Sequence, residues 1–129
     1  MITLTKGQVL LLHKAIYERY GGSYGVRDEG LLDSALEAPF MTFGGQDLHP
    51  DELEKIVRFG YGLISNHPFH DGNKRIGALV LLTLLELNGY TIDATNKEFS
   101  VIIYAVASGS EGIDFDDLLG WIKEHSGIA

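Results

Sequence analysis

The chain has 129 residues, 45% of them hydrophobic, which is enough for one compact domain with its own core and too few for two. A net charge of −8 without a long Lys/Arg run argues against nucleic-acid binding, which needs a concentrated basic surface. Cysteine is absent, so disulfides and thiolate metal sites are excluded; with no secretory leader at the N-terminus and no apolar run near the roughly 20 residues of a membrane span, a cytoplasmic protein is expected.

Thr5-Lys6-Gly7-Gln8 has the form of a capping box, and Val9, Leu12, Ile16 and Tyr20 follow at helical spacing, so a first helix is predicted to about Tyr20. Gly21-Gly22 breaks it. A loop runs to Arg27, and Asp28 is placed to cap a second helix carrying Leu31, Leu32, Ala35 and Leu36, which Pro39 ends. Residues 40–50 contain Gly44-Gly45 and no clear period; they read as a loop or short hairpin able to act as a docking flap.

Pro50-Asp51-Glu52 opens a third helix with acidic residues in its first turn and a stripe of Leu53, Ile56, Val57, Tyr61 and Ile64, up to Asn66. The fourth helix begins near Asn73 and is apolar on all sides over 76–87, the pattern of a central helix surrounded by others, with Asn88-Gly89 as its stop. Residues 90–93 form a short extended link. Asn96 is then expected to cap a helix over 97–108 with Phe99, Ile102, Ile103 and Val106 in the core. Asp114 caps a last helix through Leu118, Trp121 and Ile122, with Asp116 and Asp117 offsetting its dipole rather than binding metal. With no repeat or low-complexity tail, the expected architecture is all-α: one domain over 1–129, of about six helices around a buried central one.

Chemistry concentrates in His67-Pro68-Phe69-His70-Asp71-Gly72-Asn73-Lys74-Arg75. Pro68 disfavours helical backbone at His67, so the imidazole sits at a bend, available to take a proton from an attacking hydroxyl. Gly72-Asn73 permits a turn whose N–H groups converge on phosphate oxygens at a helix N-terminus. Lys74 and Arg75 add charge there, against the helix dipole, which calls for a compensating anion or acid. Asp71 suits either a Mg²⁺ bridging phosphates or a plain helix N-cap. Phe69 reads as a core anchor, and Trp121 and Tyr104 as core or interface residues before stacking platforms. His67 and His70 form an H-x-x-H pair, so a metal hydrolase completed by Asp71, His13, His49 or His125 is the alternative from chemistry alone.

The same nine residues resemble the motif of the Fic/Doc family, H-x-F-x-[D/N]-[A/G]-N-[K/G]-R, with seven constrained positions in register. Leu12-His13, Arg19-Tyr20-Gly21-Gly22, Gly25, Asp28 and Gly30 look like the N-terminal part of its Doc (death-on-curing) branch, so the likeness extends over nearly the whole chain. Fic relatives usually carry Gly where this chain has Lys74 and a second Arg where it has Ala78; both departures point to Doc. The resemblance implies a small all-helical toxin that holds ATP in reverse orientation and transfers the γ-phosphate, instead of AMP, to a protein hydroxyl, in the family a threonine of elongation factor Tu, arresting translation. By position it makes His67 the general base, Asp71 the Mg²⁺ ligand, and Gly72, Asn73, Lys74 and Arg75 the phosphate clamp. The built-in inhibitor motif of some Fic enzymes, Ser/Thr-x-x-x-Glu-Gly/Asn, has no match here, which implies control in trans by an antitoxin segment, basic or mixed in charge to suit an acidic toxin. AMP transfer and a non-catalytic nucleotide or partner module remain the alternatives.

Overall fold

In a computed structural model describing residues 1–109 and 112–128, the first helix, α1, spans Lys6–Tyr20. The capping box forms in full: the Thr5 hydroxyl accepts from the Gln8 N–H at 3.2 Å, and the Gln8 side chain accepts from the Thr5 N–H at 2.8 Å. Helix α2, Glu29–Glu37, starts where the Asp28 carboxylate accepts from the Leu31 N–H at 3.0 Å. That cap bears a testable load: Asp28→Ala should cost about 1 kcal/mol and lower the thermal midpoint by about 4 °C in a chain of this size, measured by circular dichroism. Lys6 reaches both Glu29 and Asp33 at 2.7 Å, joining the start of α1 to α2.

Pro39 falls in a single 3-10 turn, Ala38–Phe40, that follows α2. The next segment is the short hairpin, β1 (Thr42–Phe43) paired antiparallel with β2 (Gln46–Asp47). Gly44 and Gly45 both have positive φ, 59° and 80°, as a two-residue turn that matches strand twist requires. Lys55 pins its base, contacting the Asp47 carboxylate at 3.1 Å and the His49 carbonyl. At the tip Phe43 is 80% exposed.

Helix α3, Glu52–Ser65, is capped by Asp51 and buries more than its expected stripe, because Phe59 and Leu63 are enclosed as well. It packs on α4, Asn73–Leu87, at a distance set by two glycines. A Cβ on Gly60 would stand 3.2 Å from the Gly77 carbonyl, and a Cβ on Gly77 would stand 3.1 Å from the Gly60 carbonyl and run into Ile64. The two backbones therefore touch. Helix α4 is not surrounded as its all-round apolar sequence implied: α1, α3 and α5 pack against it, yet Leu79, Leu82 and Leu87 remain exposed, and α3 is the more enclosed helix.

Helix α5, Asn96–Ala107, begins one residue earlier than expected. Thr95, not Asn96, is its cap: the hydroxyl accepts from the Glu98 N–H while Glu98 accepts from the Thr95 N–H, and this reciprocal pair outweighs a lone Asn. Asp114 and Asp117 form the same arrangement at α6, Phe115–His125, as the capping reading of those acids required. The extended link is strand β3, Tyr90–Ile92, and it pairs antiparallel with an unforeseen β4, Ser126–Ile128. Six α-helices and two short antiparallel pairs make up the described residues, an all-α fold. None of those helices is long and apolar enough to cross a membrane.

Candidate active site

The nine-residue motif is the connection between α3 and α4. His67 is the non-glycine residue with positive φ, 50°, among the described residues. The bend predicted from Pro68 is thus realised in the left-handed region, at a cost of roughly 1–2 kcal/mol for an L residue, and strain of that kind persists only where neighbours over-determine it. The His67 ring is exposed, whereas Pro68 and Phe69 beside it are buried. Phe69 anchors the loop as expected, and its ring lies flat on His13, centroids 3.7 Å apart and planes 9° apart.

Asn73 closes the loop from inside. Its side-chain oxygen accepts from the Phe69 N–H and its amide donates to the Phe69 carbonyl, each at 3.0 Å, so the side chain is taken up by backbone. Asp71 is not the N-cap of α4, the structural role open to it. That position belongs to Gly72 in left-handed conformation, φ 76° and ψ 17°, and it brings no side chain to the helix end. First-turn N–H groups left without a cap are an anion-binding end. One Asp71 oxygen accepts from the Gly72 N–H at 2.8 Å; the other faces Gly22, where any Cβ would collide with the carboxylate.

A second segment, distant in sequence, supports the loop. The Arg27 and Asp28 N–H groups both donate to the Pro68 carbonyl, the His70 N–H donates to the Gly25 carbonyl, and Val26 bridges Phe69. The Arg27 guanidinium donates to the His67 carbonyl from Nε at 2.9 Å and from Nη2 at 2.6 Å, and to the Asn66 carbonyl at 3.3 Å. On the opposite side His13, 3% exposed, places Nε2 2.8 Å from the Asp71 carbonyl; since a carbonyl only accepts, that nitrogen carries the proton. His13 is therefore a buried prop of the loop and not a spare metal ligand.

The remaining histidines are elsewhere. His125 stacks on Trp121 at 4.1 Å, and His49 meets Phe115 edge-on, its imidazole held below the usual range first by burial and then by the Arg58 charge. Among the described residues no three His, Cys, Asp or Glu side chains converge as a metal site needs, and this weighs against the metal-hydrolase reading.

Lys74 and Arg75 lean towards different neighbouring helices. Lys74 Nζ lies 4.9 Å from the centroid of Tyr104 on α5, and the Arg75 guanidinium 4.1 Å from that of Tyr20 on α1. Neither is in an ion pair among the described residues, so aromatic faces supply the compensation expected from an acid or anion. Tyr20, placed by its spacing in the apolar stripe of α1, is instead 54% exposed, and Tyr104 is 66% exposed. His67, His70, Asp71, Gly72, Asn73, Lys74 and Arg75 line one open cavity of about 480 Å³, within the size range of small-molecule sites. A smaller apolar groove of about 190 Å³, with Phe99, Ile103 and Tyr104 in its wall, adjoins it through Lys74 and Arg75.

A curated relative, Toxin Doc of Mycolicibacterium smegmatis, is 39% identical over 75 residues, which is 58% of this chain and 58% of that protein. The match thus spans a little over half of the relative's length. A family model described as the Fic/DOC family matches residues 3–85, from the start of α1 through the motif and most of α4. The chain belongs to the Fic/DOC family.

Proposed function

We propose that this chain is a Doc-like toxin kinase, transferring the γ-phosphate of ATP to a hydroxyl of a protein substrate. The observation that carries the reading is the convergence, in one cavity, of an exposed imidazole, a carboxylate, an uncapped helix N-terminus and two cations without acidic partners. The polyphosphate lies against the first-turn amides of α4, with Lys74 and Arg75 leaving their aromatic faces to meet it. Asn73 serves this clamp through its backbone and through the loop it holds shut, since its side chain is engaged by Phe69. His67 takes the proton from the acceptor hydroxyl as its oxygen attacks the γ-phosphorus; the bond to the β–γ bridging oxygen breaks, and ADP leaves.

Asp71 fits Mg²⁺: it is exposed and one of its oxygens has no N–H partner, while the lack of a three-ligand protein cluster among the described residues suits a cation held mainly by phosphate and water. When bound, Mg²⁺ would neutralise charge on the β- and γ-phosphates. The hairpin tip with exposed Phe43 supports a docking flap for the acceptor protein, for which the family suggests elongation factor Tu. Control falls to an antitoxin in trans, and the uncovered Leu79 and Leu82 beside Arg75 support that part of the reading. The setting is cytoplasmic, and the 129 residues fold as one domain, expected as a single cooperative unfolding transition.

The test is incubation with elongation factor Tu and either γ-labelled or α-labelled ATP. Label on the acceptor from the γ position alone is the expected result. Label from the α position alone would replace kinase with AMP transfer, and stoichiometric nucleotide binding with no label from either would leave a binding module.

A further inference from the structure

Two features of the fold converge on one residue to which the motif gives no role. His67 is held at φ 50° immediately before Pro68, a conformation that its own sequence does not favour. It also sits just past the C-terminal end of α3, where carbonyl groups lack intrahelical partners and a cation is favoured. The side chain that answers both conditions is Arg27, whose Nε and Nη2 grip the His67 carbonyl while Nη2 also reaches the Asn66 carbonyl. Arg27 is exposed and in no ion pair among the described residues, so its guanidinium is spent on these two carbonyls.

We infer that Arg27 is a positioning residue for the base: by fixing the peptide that follows His67 it sets the direction in which the imidazole leaves the chain. The inference rests on the kinase reading for its catalytic consequence but not for its structural one. The N–H bonds of Arg27 and Asp28 to the Pro68 carbonyl hold the next peptide, and they survive substitution of the side chain. Removing the guanidinium therefore frees the His67 peptide while leaving the rest of the loop docked. Arg27 is not among the residues that line the cavity with the phosphate clamp, so nucleotide affinity is expected to be independent of it.

The experiment compares the full chain with Arg27→Ala and Arg27→Lys. In solution NMR the intraresidue amide-to-Hα Overhauser effect at His67, strong only at positive φ, is expected in the parent chain, lost in Arg27→Ala and partly kept in Arg27→Lys, whose single ammonium caps one carbonyl without the fork. In the transfer assay kcat should fall about tenfold to a hundredfold in Arg27→Ala, with KM for ATP within about twofold and partial recovery in Arg27→Lys. An Overhauser effect that persists in Arg27→Ala would overturn the inference. So would a lowered melting temperature with kcat unchanged, which is the signature of a helix cap alone, or a rise in KM equal to the fall in kcat. Should Arg27→Ala not fold, Arg27→Lys decides by the same measurements. Should the parent chain transfer nothing, the kinase reading fails while the Overhauser comparison still tests Arg27.

Discussion

His67→Ala is expected to lower phosphate transfer by about 10²–10⁴-fold, the usual worth of a positioned general base. The fold should survive, because the His67 ring is exposed, makes no hydrogen bond within the described structure, and belongs to a loop held by Phe69, Asn73 and the 25–28 segment. ATP binding should survive as well, since the amides and cations of the clamp start at Gly72. Titration calorimetry with ATP and the labelled transfer assay separate the two quantities. Turnover of the Ala variant within a few-fold of the parent would remove His67 from the reaction; loss of ATP affinity in parallel with rate would make it a binding residue.

Gly77→Ala should cost stability even though it adds a single methyl group inside a helix. Alanine gains about 1 kcal/mol over glycine in a helix interior, but here its Cβ would overlap the Ile64 side chain and stand 3.1 Å from the Gly60 carbonyl, which is backbone and cannot swing away. Overpacking of that kind costs typically 1–3 kcal/mol and more where backbone must shift, so a net loss of about 2 kcal/mol is expected. Gly120→Ala on α6 is the control, because nothing lies within 4 Å of its Cβ; there the helix propensity acts alone and stability should rise by about 0.5–1 kcal/mol. Denaturant unfolding of both variants gives the comparison. Ile64→Val in the Gly77→Ala background should restore part of the loss, and strict additivity of the two would show that the helices do not meet where the structure places them.

Helix starts were legible because capping is local: Thr5 with Gln8, Asp28 with Leu31, and Asp114 with Asp117 are all three residues apart. At α5 the cap is Thr95 and not Asn96, because Thr95 and Glu98 form a reciprocal pair that a lone Asn cannot. Apolar composition does not say how fully a helix is covered: on α4, Leu79 and Leu82 stay 36% and 39% exposed, bordering a groove with Ile16 and Tyr20. Pairing of β3 with β4 had no local signal, since Ser126 and Gly127 are poor strand formers and are ordered only by Thr91 and Ile92 opposite.

The site divides in the same way. Its nine contiguous residues suggest an anion site with a base, and seven of them line one cavity. What surrounds them was not readable, because it arrives through tertiary structure: His13 contacts Asp71 across 58 positions and Arg27 contacts His67 across 40. Tyr20 and Tyr104 likewise look like ordinary helix residues until α1 and α5 bring their rings under Arg75 and Lys74. Asn73, expected to touch phosphate, is a loop clip, a role that depends on a turn no periodicity describes.

The clamp of residues 25–28 on residues 66–70 also sets a temporal order. The supporting segment is synthesised first and waits, without a partner, until α3 and the motif have been made and folded back onto it across some forty residues, a contact of long loop and late reward. A growing chain that has exposed the nine motif residues has therefore not yet built the geometry they need. Under the proposed function, activity belongs to the finished fold, and a nascent or partly unfolded copy carries the chemical groups without their arrangement.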